Sequence, residues 1–332
     1  MSSTATTTPA PGTPDAPVDP PDAGAPPAGP ARTARRPGDL IFSGLSIASG
    51  LLIFLTLLLV AIFLTVRSLP AISASRELTG DADAISLIEF TAPLVFGTVF
   101  AAILALLMAV PVAVGIALFI SHFAPRRFAT PLGFMIDLLA AVPSVVFGLW
   151  GGVWLVPRLE PLYLFLNQHL SFIPLFGGVA QPPMRNLATA SVVLAVMILP
   201  IITAVSREIF LQTPRLQEEA ALALGATRWE TIRAVVLPFG RSGVVSASML
   251  GLGRALGETM AVLMVLSPGA SFSLNILVAG QHNSIAANIA SQSAEATPDV
   301  MSRLIFTGLV LFVITFVINA IARAIVARSA KG

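Results

Sequence analysis

Long apolar runs separated by short charged segments set the pattern of this chain. The first run extends from Leu40 to Val66, with the core LLIFLTLLLVAIFLTV. Others cover Leu94 to Ile120, about Leu132 to Val156, Leu187 to Val205, Ser242 to about Leu266, and Leu304 to about Val326. A helix needs roughly 20 predominantly apolar residues to cross about 30 Å of hydrocarbon, and each run is close to that length. The pattern predicts an all-α membrane protein with six transmembrane helices. Pro111 and Pro143 fall inside the second and third runs. A proline in a span frees backbone groups that neighbouring helices must satisfy, which places these two runs inside a bundle. The first run has neither Pro nor Gly in its core and is expected at the periphery. A moderately apolar stretch from Ile276 to Ile289 is interrupted by Gln281, His282, Asn283 and Asn288. It reads as a short interfacial or re-entrant element rather than a seventh span.

Composition agrees with this pattern. Apolar residues make up 55% of the 332, charged residues only 11%, and the mean hydropathy is +0.87. A soluble domain carries about 25% charged residues. The net charge of +2 is spread between apolar blocks, so no nucleic-acid partner is expected. The absence of Cys excludes disulfides, Fe–S clusters and thiolate zinc sites. His122, His169 and His282 lie far apart in sequence and have no metal-site context. Residues 1–30 are nearly all Pro, Ala, Gly, Thr and Asp. Residues 1–38 are therefore expected to form a disordered tail, ending in a basic flank at Arg32, Arg35 and Arg36, and 39–332 the membrane domain.

Arg and Lys placement predicts orientation. With the N-terminus inside, 13 of these cations fall in inside segments and 5 in outside segments, leaving Arg254 within a span. Both termini are thus expected in the cytoplasm. Arg126 and Arg127 read as inside anchors, and Asp137 as an interfacial or helix-capping residue. Trp150, Trp154 and Tyr163 read as outer interfacial anchors.

The inside loop from Arg207 to Arg241 reads in part TPRLQEEAALALGATRWETIRAVVLPFG. Thr213 suits a cap and Pro214 a first helical position. Gly225 supplies a break, a second short helix is expected from about Trp229 to Val236, and Pro238 closes it. Two short helices turned about a glycine make a compact knob that could dock a soluble partner; an ordinary connecting loop fits the residues equally well. The segment Glu219-Ala220-Ala221-x-x-x-Gly225, followed by Val235-x-Leu237-Pro238, resembles the EAA loop of permeases in bacterial ABC importers. Val235, where Ile is usual, is the one departure. The resemblance implies that 207–241 is a coupling loop seated on a cytoplasmic ATPase, with Glu219, Ala220, Ala221, Gly225, Leu237 and Pro238 as its signature. Trp229 is a candidate contact with that ATPase or with the loop's own helices.

The fifth run contains GLGRALGETMAVLMVL. Spacing of i and i+4 predicts Arg254 and Glu258 on one face of one helix. Each charge costs about 2.5–3.5 kcal/mol at a helix centre. They read either as an ion pair that locks the bundle or as a transport-path site, where the Arg fork suits an oxyanion. LGRALGETMAV resembles the fifth-helix signature of the PstC type of phosphate importer permease. AVPSVVFGLWG (Ala141–Gly151) and the stretch Thr91–Pro125 resemble the same type, and the resemblance covers roughly 40–330. It implies the fold of a type I ABC importer permease and a place in the bacterial inner membrane. It also implies phosphate passage at Arg254 and Glu258, no cofactor, and no ATP hydrolysis by this chain, which has no Walker-type phosphate loop. The implied partners are a second, PstA-like permease, a PstB-like ATPase dimer and an extracytoplasmic PstS-like binding protein. Permeation of another oxyanion or polar solute, or a scaffold role in phosphate signalling, are the competing readings.

Overall fold

The computed structural model describes residues 37–77 and 86–329. Residues 1–36 of the expected tail, with Arg32, Arg35 and Arg36, lie outside the described residues, as does Lys331. The last two residues assigned to that tail, Pro37 and Gly38, instead begin helix α1 (Pro37–Glu77). The chain divides into two units within α1, at Leu55/Thr56. In the first unit, every described side chain of α1 is exposed, and most are large and apolar, the surface expected of a helix bathed in hydrocarbon.

Every regular element among the described residues of the second unit is a helix, with irregular segments at 170–186 and 266–284. Helix α2 (Leu87–Leu118) runs into a π-helical turn at Phe119–Phe123. It is followed by α3 (Arg126–Ala140), α4 (Ser144–Trp150), a π-helical turn at Gly151–Leu155, and α5 (Val156–His169). Then come α6 (Leu187–Leu211), α7 (Arg215–Ala223) and α8 (Arg228–Thr231). A third π-helical turn, Ile232–Val236, leads into α9 (Leu237–Leu256). The chain ends with α10 (Met260–Val265), α11 (Ile285–Gln292) and α12 (Pro298–Ser329). Among the described residues, five helices are long and apolar enough to cross a membrane, and six when α3 and α4–α5 count as one bent span.

Helix α6 is the centre. It packs most heavily on α2 and then on α9, and its buried residues run from Leu187 to Phe210. The reason for the α2 contact is a stripe of alanines four apart: Ala101, Ala105, Ala109, Ala113 and Ala117, all buried. Small side chains let two backbones approach, which is the main packing device where lipid supplies no hydrophobic drive between helices. Pro111 lies on the opposite, exposed side of α2, so α2 sits in the bundle as expected, but through the alanine stripe rather than through the proline. Tyr163 likewise departs from expectation. It is buried, with its hydroxyl 3.3 Å from the Thr189 Oγ1, whereas Trp150 and Trp154 stack at 5.5 Å and Arg158 covers Trp154 at 3.8 Å.

The third run is not one straight span. The segments 127–140 and 144–169 meet at 91°. Pro143 lacks the N–H that would continue the ladder and biases Val142 away from helical conformation. The Val142 N–H turns back to the Leu139 carbonyl at 3.2 Å instead. Asp137 does not cap a helix start; near the end of α3, it pairs with Arg207 of α6 at 3.6 Å. Gly133 makes room for that guanidinium, which a Cβ there would strike.

At the end of the bundle remote from residues 207–241, polar groups replace helix. Of the Ile276–Ile289 stretch only its last part is helical, as the start of the eight-residue α11, too short to cross a membrane. Asn186 caps α6 by accepting the Thr189 N–H at 3.0 Å, and its Nδ2 donates to the Leu277 carbonyl at 2.9 Å. The Ile285 N–H donates to Thr98 Oγ1 of α2 at 2.9 Å. His282 is 1% exposed, stacked on Phe96 and held 2.7 Å from the Ser273 carbonyl through Nε2. Burial pushes its pKa below the ordinary histidine value, and the bond to Ser273 offsets only part of that. A histidine kept neutral by folding takes up a proton more readily when unfolded. The stability it confers is therefore complete above pH about 6.5, the unfolded value, and is lost as pH falls toward the depressed folded pKa. Thermal unfolding of the purified protein between pH 7.5 and 5 is expected to show this fall, and His282→Gln, which can still donate to Ser273, is expected to flatten it.

Candidate functional site

The charges of the fifth run do not share a helix face. Helix α9 ends at Leu256, Gly257 and Glu258 leave the helical path, and α10 starts at Met260. Around the break the hydrogen bonds are long, 3.4 Å from the Glu258 N–H to the Ala255 carbonyl. Arg254 lies in the last turn of α9, where a cation meets the negative end of the helix. Glu258 is 7% exposed, and its Oε1 accepts the Ala261 N–H at 3.0 Å, satisfying a free donor at the start of α10. The sequence reading of an i, i+4 pair on one face is thus corrected: each charge serves its own helix end, and no Arg254–Glu258 ion pair occurs among the described residues.

The other pieces of the broken span are tightly held. Helix α10 packs on α4, and the fit depends on Gly148, where a Cβ would come 2.8 Å from the Ala261 Cα. Arg185 Nη2 donates to the Met264 carbonyl at 2.6 Å, closing the far end of α10. Arg254 itself points to open space. A cavity of about 960 Å³ lies between α9 and α12, lined by Ser246, Met249, Arg254, Phe316, Asn319 and Arg323 among others. No acidic side chain lines it among the described residues. Asn319 and Arg323 were not singled out in the sequence as site residues; Arg323 read only as one of many inside cations.

The loop 207–241 folds as a knob. Pro214, not Thr213, is the N-cap of α7; Thr213 Oγ1 is buried without a hydrogen-bond partner. Helix α7 carries Glu219, Ala220 and Ala221, and ends in a left-handed Gly225 with φ +88°. The Gly225 N–H donates to the Leu222 carbonyl at 3.0 Å and the Ala226 N–H to the Ala221 carbonyl at 3.1 Å. This is the Schellman closure, and it explains the spacing of Ala221 and Gly225. Thr227 and Glu230 then form a capping box for α8. Pro238 does not close that helix. The i−5 bonding of the π-helical turn, seen in the Leu237 N–H donated to the Ile232 carbonyl, carries the chain into α9, with Pro238 in its first turn, where a missing N–H is tolerated. Leu237 and Pro238 therefore sit at the head of α9, apart from the Glu219–Gly225 knob.

The knob is fixed to the bundle by His122 Nε2, 3.6 Å from Glu218 Oε1, and by a small core of Ala117, Leu118, Phe210, Ile232 and Val236. Among its exposed charged residues it presents three large apolar side chains: Leu216 is 80% exposed, Leu224 90%, and Trp229 58%. Trp229 thus does not pack inside the loop, as one of its two sequence readings allowed.

A bundle of this kind, with a broken span and a two-helix knob at one end, is the fold of an importer permease. A solved structure of the MetNI methionine ABC transporter in an inward-facing conformation matches it with a TM-score of 0.51 at 15% identity, over 72% of this chain and 96% of that one. Residues 109–331 match the family described as binding-protein-dependent transport system inner membrane component. The chain is also 48% identical over 315 residues to the phosphate transport system permease protein PstC 2 of Mycobacterium tuberculosis, covering 91% of this chain and 95% of that one. It is 44% identical to PstC of Mycobacterium leprae, over 80% of this chain and 86% of the relative. The chain belongs to this inner-membrane permease family, in its PstC branch.

Two outcomes follow from the geometry. Glu258→Ala removes the acceptor at the head of α10 and is expected to cost about 1 kcal/mol, read as a lower Tm in detergent, while Glu258→Gln retains most of it. Gly225→Val places a β-branched residue at positive φ and is expected to cost about 1–2 kcal/mol of local stability, read as faster proteolysis within 215–230. Space is not the cause, since a Cβ at Gly225 meets nothing within 4 Å.

Proposed function

We propose that this chain is the membrane permease subunit of an ATP-driven importer of inorganic phosphate, forming half of its translocation path. The observation that carries this reading is Arg254: a guanidinium at the broken end of α9, on the wall of a large cavity that no acidic side chain lines among the described residues. Its planar fork suits the oxygens of a phosphate ion. The relatives' names as phosphate transport permeases point to the same substrate. Glu258 holds the geometry of the break.

The loop 207–241 is the coupling element. Glu219, Ala220, Ala221 and Gly225 build the knob, and Leu237 and Pro238 join it to α9. The exposed Leu216, Leu224 and Trp229 are the surface for a cytoplasmic, PstB-like ATPase. A PstA-like permease supplies the other half of the path, and a PstS-like protein delivers phosphate at the opposite face. Both termini lie in the cytoplasm of a bacterium, in keeping with the charge bias and with the clustering of Arg207, Arg215, Arg228 and Arg233 at the knob's end. Hydrolysis of ATP takes place in the partner chain.

ATP-driven phosphate uptake into proteoliposomes holding the four-component complex tests this reading. Wild type is expected to accumulate phosphate, and Arg254→Gln to lose about tenfold or more, the value of a charge-assisted contact, with ATPase assembly unchanged. Uptake of a different oxyanion but not phosphate would leave the permease fold intact and refute the substrate.

A further inference from the structure

The cavity beside Arg254 holds a second arginine. Arg323 of α12 lines it together with Asn319, one turn earlier on the same helix. Among the described residues neither guanidinium has an ion-pair partner, and apart from the hydroxyl of Ser246 the remaining walls, among them Met249, Leu250 and Phe316, are apolar. Two cations facing one low-dielectric space focus a positive potential there.

The two arginines are not side by side. Helices α9 and α12 are successive candidate spans, and successive crossings of a bilayer run in opposite directions. Arg323 therefore falls level with the Ser246 end of the cavity, nearer the knob, and Arg254 with the Phe316 end. Ser246 and Arg254 are eight residues apart, roughly 12 Å along the helix axis. A single small ion cannot bridge the full span, but successive stations can hold one in turn.

We infer that Arg323, with the Asn319 amide, is a second station for a phosphate group, about two helical turns from Arg254 toward the coupling loop. This rests on the reading of Arg254 as a path residue. The bound group is either free phosphate on its way out or the headgroup of an anionic lipid; both present the same oxygens to the same fork.

The chain contains no cysteine, so Ala320→Cys, on the cavity wall beside Asn319, gives it one thiol at the site and leaves the Asn319 amide in place. The complex carrying this variant is placed in nanodiscs of zwitterionic lipid, and its labelling by an anionic thiosulfonate is followed on this chain by mass spectrometry. A neutral reagent serves as reference for cavity access. At inorganic phosphate about ten times its Kd, labelling is expected to slow roughly tenfold relative to chloride of equal ionic strength. Arg323→Gln in the same background is expected to abolish the protection, and Arg323→Lys to restore part of it. If phosphate has no effect but anionic lipid slows labelling in an Arg323-dependent way, the station is filled by a headgroup. If neither protects, or protection survives in Arg323→Gln while neutral labelling is unchanged, the second station does not exist. Wild-type uptake separates this from the proposed function. Protection without phosphate uptake keeps the station and removes the importer reading; uptake without protection does the reverse.

Discussion

In a bilayer every backbone donor and acceptor must find its partner inside the protein, and this fold breaks two of its spans. At 141–143 the chain turns by 91°, and at 257–259 α9 stops before α10. The structure meets the constraint by packing the two broken pieces on each other. Helix α4, which follows the first break, lies on α10, which follows the second, and Gly148 allows the contact. Side chains supply the missing bonds: Glu258 to the Ala261 N–H at the start of α10, and Arg185 to the Met264 carbonyl near its end. The charges that look costly in a membrane are thus part of what makes a discontinuous span tolerable, and they leave Arg254 facing a cavity rather than lipid.

Much of this was legible in the sequence, and the parts that were not share a cause. Hydropathy locates the apolar runs because lipid imposes a length on each, and the knob's residues stand out because Gly225 and the Ala221 spacing are set by local backbone geometry. The break at 257–259 was not legible. Gly257-Glu258-Thr259 is compatible with a continuing helix, and only the packing of α10 on α4 decides otherwise. Pro238 misled in the opposite sense: a proline normally ends a helix, yet the preceding π-helical turn lets α9 run on. The alanine stripe of α2 was present at a spacing of four but is not distinguishable in hydropathy from its neighbours. Asn319 and Arg323 gain meaning only from the helix they face.

The continuity of α9 bears on how the two ends communicate. From Arg228 the helical path runs without interruption through the π-helical turn to Leu256, a length of roughly 43 Å at 1.5 Å per residue. The knob sits at one end and Arg254 at the other. Helices of this kind transmit displacement because their backbone bonds are internal and stiff along the axis, whereas the break at 257–259 has long, weak bonds and an exposed Gly257. Motion imposed on the knob would therefore be carried along α9 and taken up at the break. Arg254 is the last charged residue on the rigid side of it, and Glu258 the first on the other, anchored to α10. Under the proposed coupling to an ATPase, the two residues would move relative to one another when the knob moves. That is an arrangement in which the cation's exposure to the cavity changes while the cap that keeps α10 folded stays in place.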